Sequence, residues 1–200
     1  AREEVVGVFR SLAKRAAEEK QLDLEPILRG LASGSVETRT ALLQVCALFV
    51  NEPLRAAFRA ALKDSDERVR AAAARALCGA RDVALLPDLL TVAGETSDAG
   101  LRSLAIEGIV RMATDDAAGL SAQQRTDALA AVFALATSVE DKRQVLSGLA
   151  RVPNAATLKL AEQACVDPVV KAEAELASFQ IAQQLAGAGF EEVDATLARL

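Results

Sequence analysis

The 200-residue chain has no histidine, tryptophan or tyrosine, and only 3% of its residues are aromatic. Histidine is the commonest general base and metal ligand in proteins. No CxxC, HExxH, GxSxG or phosphate-loop motif takes its place. Adjacent acids such as Asp115 and Asp116 point in different directions, so we interpret them as solvated. We therefore expect no catalytic residues, no metal site and no cofactor, and we predict that the chain is not an enzyme.

Long apolar runs are also missing, and no stretch reaches the roughly 18 uncharged apolar residues that crossing a bilayer requires. The three cysteines, Cys46, Cys78 and Cys165, cannot all pair, and each lies in a helix-like apolar pattern. We interpret them as small buried thiols. A reducing compartment fits this pattern and favours the cytoplasm, although a cysteine-poor exported protein would look similar.

The chain begins at Ala1 within an amphipathic pattern and without an initiator methionine. We therefore expect it to be a piece of a longer protein, and the missing targeting signal then carries no weight.

Small side chains with high helix propensity dominate what is present. Hydrophobic residues make up 52% of the chain, with 43 alanines and 28 leucines. Apolar residues recur at helical spacing between capping residues, prolines and glycines, and no alternating strand pattern occurs. The pattern predicts about twelve helices joined by short turns, which makes successive helices antiparallel. The first is predicted over residues 2–19 and the last over residues 190–200.

A template of capping residue, apolar residue, basic residue and small residues recurs every 31 residues, roughly. The good copies are Asp66-Val69-Arg70-Ala73-Ala76, Asp98-Leu101-Arg102-Ala105-Gly108 and Asp167-Val170-Lys171-Ala174-Ala177, and the weaker copies are Ser35-Thr38-Arg39-Leu42-Val45 and Lys142-Arg143-Leu146-Leu149. A helical pair cannot bury its apolar face alone, whereas stacked pairs can. The repeat therefore predicts an all-α, right-handed α-solenoid.

We predict a single domain over residues 1–200, built from six antiparallel hairpins. Their approximate bounds are 1–33, 35–63, 66–94, 97–136, 138–165 and 167–200. Residues 114–120 (TDDAAGL) lengthen one repeat, and we interpret them as a tolerated surface insertion rather than a binding element.

The segments at 66–79, 98–109 and 167–177 resemble the HEAT-repeat family, particularly short bacterial HEAT-like repeats also seen in relatives of phycobilisome lyases. The resemblance implies an acid–base ladder between adjacent repeats. Carried over to this chain, Asp66, Asp98 and Asp167 would meet Arg39, Arg70 and Arg102, and also Arg143 or Lys171. In this interpretation, the ladder residues stabilise the contact between repeats rather than form a binding site. Ser35 and Val139 lack the acid, so the ladder breaks at those two steps.

A basic stripe of Arg55, Arg59 and Lys63 lies on one face of the helix predicted over residues 52–63. It is the candidate partner-binding surface, if the second helices of the hairpins form the concave face. A solvated helix face is the simpler interpretation, and an acidic protein is the main alternative partner. The net charge of −5 and the absence of an accompanying aromatic count against nucleic acid.

The sequence thus favours a non-enzymatic protein-interaction scaffold that presents a concave surface of second helices. The partner is another protein or a neighbouring domain of the same chain. The first alternative is an accessory repeat domain of a larger bacterial enzyme whose catalytic module lies outside these residues. A chromophore-handling repeat ranks below both, because tyrosine, tryptophan and histidine are missing.

Overall fold

A computed structural model of the protein describes residues 24–47 and 51–186, and in these ranges the regular structure is entirely helical. The predicted helices at 2–19 and 190–200 lie outside the described residues. The chain divides into two compact units, residues 1–88 and residues 89–200. The predictions of a single domain and of a right-handed superhelix stay predictions.

The ten α-helices of the described part are named α1 to α10 in chain order. Their bounds are α1 Glu25–Ser33, α2 Val36–Cys46, α3 Glu52–Ala61, α4 Glu67–Gly79, α5 Leu86–Glu95, α6 Ala99–Thr114, α7 Ala122–Leu135, α8 Val139–Ala150, α9 Ala155–Ala164 and α10 Lys171–Leu185. Short 3-10 turns at Val83–Leu85 and Asp116–Ala118 precede α5 and α7. These helices follow the predicted hairpins, and the fold class is confirmed as all-α with the helical pairs of an α-solenoid.

In the first unit, α2 packs on α4, and both α2 and α3 pack on α1. The core consists of fully buried side chains from successive helices, including Leu43 of α2, Phe58 of α3 and Leu77 of α4. The apolar spacing of each helix therefore places one face against its neighbours.

In the second unit, α6 packs on α7 and α8, and α10 packs on α8 and α9. Ile106, Leu129, Leu149 and Ile181 are fully buried between these helices. First helices thus contact first helices within the unit, as stacking of hairpins requires.

The helix starts follow the predicted capping residues. Side chains of Ser35, Asn51, Asp66, Asp98, Ser121, Ser138 and Asn154 each accept a hydrogen bond from an amide in the first turn of the helix that follows. Ser121 and Gln124 form the predicted capping box. Local hydrogen bonding by these side chains is therefore enough to set where most helices begin.

The predicted start of the 167 helix is wrong, because α10 begins at Lys171 rather than after Asp167. The Asp167 carboxylate accepts hydrogen bonds from the Val169 amide at 3.0 Å and from Lys142 Nζ at 2.6 Å. The bond to Val169 closes a turn two residues on, which competes with helix initiation. Val170 then occupies the N-cap position without a side-chain cap.

The weak repeat copy assigned to Lys142-Arg143-Leu146-Leu149 is displaced by one residue. Ser138 caps α8 by accepting a hydrogen bond from the Asp141 amide at 3.0 Å. The copy therefore reads Ser138-Asp141-Lys142-Val145-Gly148, with Lys142 in the basic position. This alignment puts an aspartate where the good copies have Val69, Leu101 and Val170.

Candidate functional site

In the first unit, the acid that meets Arg39 is Asp64 rather than the predicted Asp66. Arg39 forms an ion pair with the Asp64 carboxylate, and Arg70 donates to the main-chain carbonyl of Asp64 at 2.7 Å. Asp66 instead caps α4 and pairs with Arg68 at 3.0 Å. The Arg68 side chain holds the pKa of Asp66 below its usual value, and the Arg68 amide adds to the effect. The capping role therefore leaves Asp64 to link α2 and α4.

In the second unit, the predicted Asp98 and Arg102 also serve local structure. The Asp98 carboxylate caps α6 by accepting from the Leu101 amide at 3.1 Å. The Arg102 guanidinium donates to the main-chain carbonyls of Thr96 at 2.6 Å and Ala93 at 3.3 Å. Arg102 thus turns back onto the connection that precedes its own helix, as Arg70 does in α4.

The third predicted acid, Asp167, does pair with a base of the preceding repeat, but that base is Lys142, at 2.6 Å. Arg143, one of the two predicted partners, instead contacts Glu173 of α10 at 2.7 Å. Lys171, the other, lies 3.6 Å from Glu175 on its own helix. Lys142 is the fourth residue of α8, as Arg39 is of α2 and Arg70 of α4. The fourth helical position therefore supplies the structural base in each case.

Two of the three side chains of the basic stripe on α3, Arg55 and Arg59, form ion pairs inside the first unit. Arg55 binds Glu52 and lies 2.8 Å from Asp82, and Arg59 lies 3.0 Å from Asp88. These carboxylates raise the pKa of both arginines, chiefly through the hydrogen bonds that Arg55 donates to Glu52 and that Arg59 donates to Asp88. Lys63 is exposed and has no side-chain partner in the part of the chain that the structure describes. The partners of the stripe lie 27 and 29 residues away, so helical spacing alone could not reveal them.

A groove of about 780 Å³ runs between α6 and α8, the first helices of two successive hairpins in the second unit. The wall formed by α6 includes Ser103, Leu104 and Glu107. Leu104 is 43% exposed, and among the described leucines of the first helices Leu176 alone is more exposed. The groove therefore offers apolar surface together with polar groups, the composition typical of a recognition site.

The helices approach each other most closely at Gly148 of α8. A Cβ atom at this position would lie 2.8 Å from Val110 Cγ1 and 3.1 Å from Leu129 Cδ2. Gly148 and Val110 both line the groove, and the missing side chain at Gly148 lets α8 pack closely against these neighbours. Gln144 and Asp141 lie one and two turns earlier on the same stripe of α8 and also line the groove.

Asp141 is the anomalous side chain of the groove. The residue is only 2% exposed, and its Oδ1 atom is buried without accepting a hydrogen bond from any described residue. In the equivalent position of α4, Val69 is 1% exposed and purely apolar. A buried carboxylate oxygen without a hydrogen bond costs the folded state free energy that a valine would not.

Three arginines, Arg111, Arg143 and Arg151, also line the groove, and none of them is without a partner. Arg143 contacts Glu173, and Arg151 donates to the main-chain carbonyl of Thr114 at 3.2 Å. Glu107 and Glu140 also line the groove; both are exposed, and neither forms an ion pair within the described residues. The charged side chains on the rim that remain open to a ligand are therefore these two glutamates.

The comparison with known families decides the architecture. Residues 24–110 match the family model of HEAT repeats. This part of the chain belongs to the HEAT-repeat family. HEAT repeats are generally protein-interaction scaffolds. The match covers α1 to α5 and most of α6, so one wall of the groove lies inside it. No curated protein matches the chain.

The loop between α6 and α7 is ordered by Arg125. The guanidinium of this residue donates to the main-chain carbonyls of Leu120 at 3.3 Å and Asp115 at 3.1 Å. Gly119 has φ 73°, the left-handed conformation that glycine adopts without strain. These contacts fit the interpretation of residues 114–120 as a surface insertion.

The three cysteines form no disulfide with one another, and the prediction that all are buried is wrong for Cys165. Cys46 and Cys78 are buried, whereas Cys165 is half-buried at the end of α9. Burial raises the pKa of the Cys46 thiol to about 12, which keeps it protonated and weakly nucleophilic at neutral pH.

Residues 24–47 and 51–186 contain neither a metal-binding cluster nor a helix that could span a membrane. No group of three or more histidine, cysteine, aspartate or glutamate side chains is placed to hold a metal ion. No helix among these residues combines the length and the hydropathy that crossing a bilayer requires.

Proposed function

We propose that the chain is a non-enzymatic protein-interaction scaffold and that the groove between α6 and α8 is a partner-binding surface. The observation that carries this proposal is the groove itself, about 780 Å³ in volume with the exposed Leu104 beside the buried carboxylate of Asp141. The ladder residues and most of the basic stripe are engaged in structural contacts, which leaves the groove as the surface with unused binding capacity.

A protein partner fits this groove better than a nucleic acid. A phosphate backbone would meet the acidic side chains of Glu107 and Glu140, and like charges weaken such binding. An extended or helical peptide could place apolar side chains against Leu104 and polar groups along the acidic rim. The stripe on α3 favours nucleic acid no more strongly, because Arg55 and Arg59 already pair with carboxylates.

The second helices form a second candidate surface, the concave face expected from the sequence. This surface is supported by Lys63, which is exposed without a side-chain partner among the described residues, and by Arg59, whose side chain is 45% exposed despite its ion pair. An acidic segment of a partner protein is the ligand that these charges would attract.

Affinity capture with matched leucine variants tests the scaffold proposal. Leu104→Ser removes the apolar rim of the groove, and Leu176→Ser removes an exposed leucine from α10 in the same unit. We expect proteins that bind the wild type and Leu176→Ser to be lost from Leu104→Ser. Cross-linking followed by mass spectrometry should place the partner against α6 and α8.

Two results would contradict the proposal. One is a chain that captures no protein above the level of an unrelated helical control. The other is a partner whose cross-links fall outside the groove and whose binding is unaffected by Leu104→Ser. Cross-links to α3 that disappear with Lys63→Glu would move the partner site to the second helices.

A further inference from the structure

Asp141 has no structural explanation within its repeat. The first apolar position of the repeat holds Val69 in α4 and Val170 before α10, and both side chains are buried. An apolar residue would pack equally well at position 141. The described structure supplies no hydrogen bond to Asp141 Oδ1. The aspartate therefore carries a cost in stability that a binding role would offset.

The location of this carboxylate suits a ligand. Asp141 lines the groove while remaining 2% exposed, so its charge lies at the floor rather than on the rim. Water competes less well for a charge in such a position, and an incoming cation therefore gains more from pairing with it than with a surface acid. Glu107 and Glu140 on the rim add negative charge along the approach.

The open volume also fits a long side chain. Gly148, two turns after Asp141 on the same stripe of α8, adds no side chain to the lining of the groove, and the space beside it is filled by Val110 and Leu129. Leu104 on the opposite wall offers an apolar surface for the methylene groups of a lysine or arginine. The groove thus combines a buried anion with an apolar wall.

We propose that the groove between α6 and α8 binds a basic segment of a partner protein, with a lysine or arginine side chain inserted to pair with Asp141. This inference rests on the proposed scaffold function and adds the chemistry of the partner. The inserted cation pairs with the Asp141 carboxylate at the floor of the groove, and its aliphatic stem lies against Leu104. Exposed basic residues of the same segment face Glu107 and Glu140.

A positional peptide library tests the cation directly. Mixed ten-residue peptides, with one central position fixed as lysine, arginine, leucine or glutamate, are measured for binding to the full chain by fluorescence anisotropy. We expect the lysine or arginine set to bind about tenfold more tightly than the leucine set, because a charge-assisted hydrogen bond to a buried group contributes about that much. The better of the two basic sets identifies the inserted side chain.

The variants separate Asp141 from general electrostatics. Asp141→Asn keeps the shape and removes the charge, and Asp141→Val restores the apolar residue of the repeat. Both should lose the preference for the basic sets. Glu95→Gln removes the same charge from an exposed position of α5 in the same unit and should change affinity less than about twofold. Circular dichroism confirms that each variant is folded.

The results distinguish a failure of the cation proposal from a failure of the scaffold proposal. Equal binding of the leucine and basic sets, with loss on Leu104→Ser, would overturn the cation proposal and leave the scaffold proposal standing. An unchanged basic preference in Asp141→Val would also overturn the cation proposal, because Asp141 would then be a carboxylate satisfied by water alone. Binding of no peptide set to the wild type would overturn the cation proposal, while partner capture tests the scaffold separately.

Discussion

Val69 in α4 and Asp141 in α8 occupy equivalent places in two repeats, and both are buried. In the first unit, the position is apolar, and the nearby charges of Arg39, Asp64 and Arg70 are paired or hydrogen-bonded. In the second unit, the same position holds a carboxylate beside an open groove. The residues that match the repeat pattern stabilise the packing of the helices, whereas Asp141, which departs from the pattern, lies in the groove proposed to bind a partner.

Val69→Asp should give the largest effect, because it introduces a charge at a buried apolar position. We expect the free energy of unfolding to fall by about 3 kcal/mol or more. Chemical denaturation of the variant measures the change. Val69→Ala is the control for lost volume alone. If Val69→Asp were no worse than Val69→Ala, the site would accept a charge and the contrast with Asp141 would disappear.

Asp141→Val should act in the opposite direction. Replacing the carboxylate removes an unsatisfied buried oxygen, a gain of about 1–3 kcal/mol. Part of this gain is offset, because an acid in the first turn of α8 interacts favourably with the helix dipole by about 0.3–1 kcal/mol. Denaturant titration should show a net stabilisation of about 1 kcal/mol or more, and a loss of stability would mean that Asp141 has a structural partner.

Gly148→Ala and Gly79→Ala extend the comparison to backbone packing. A methyl group at position 148 would meet Val110 and Leu129, and overpacking of about 1–3 kcal/mol exceeds the gain in helix propensity of up to about 1 kcal/mol. At position 79 a Cβ meets nothing within 4 Å, so alanine should be neutral or slightly stabilising. Thermal unfolding of the two variants should therefore give shifts of opposite sign or clearly different size.

The smallest expected effect is a pH dependence of the pair between Lys142 and Asp167. Lys142 holds the pKa of Asp167 below its usual value, chiefly through a direct hydrogen bond. A lowered folded-state pKa gives stability that is present above the pKa of the unfolded chain and lost as pH falls through the folded value. The Tm difference between the wild type and Lys142→Met should thus be visible at neutral pH and vanish in acid.

Lys159→Met is the control for that titration, since Lys159 is exposed on α9 without a side-chain partner in the described part of the unit. Its Tm difference from the wild type should show no comparable change between neutral and acidic pH. A difference for Lys142→Met that persists unchanged in acid would show that the ion pair contributes nothing.

The sequence predicts most of the described fold because local chemistry decides it. Side-chain caps such as Ser35, Asn51 and Ser121 start helices through hydrogen bonds a few residues long. The start of α10 was mispredicted, since Asp167 bonds to Val169 and to the distant Lys142 instead. The spacing of residues in the sequence does not reveal contacts between different helices.

The candidate site was less predictable for the same reason. The Arg55–Asp82 pair joins residues from two helical segments, so the stripe looked free in sequence. The fifth repeat copy was aligned from Val139, and this displaced Asp141 from the apolar position that it occupies. Alignment on the capping residue Ser138 would have shown an acid at a core position, which is the signal that could have located the groove.

Asp64 has a consequence for how these repeats can diverge. Arg39 contacts its carboxylate, whereas Arg70 contacts its main-chain carbonyl. Replacement of Asp64 removes only the first contact, because every amino acid supplies a carbonyl. Positions 39 and 64 should therefore change together among homologues, while position 70 can retain its arginine as the residue at 64 varies. The contact between position 64 and α2 thus depends on which amino acid stands there, whereas the contact with α4 does not.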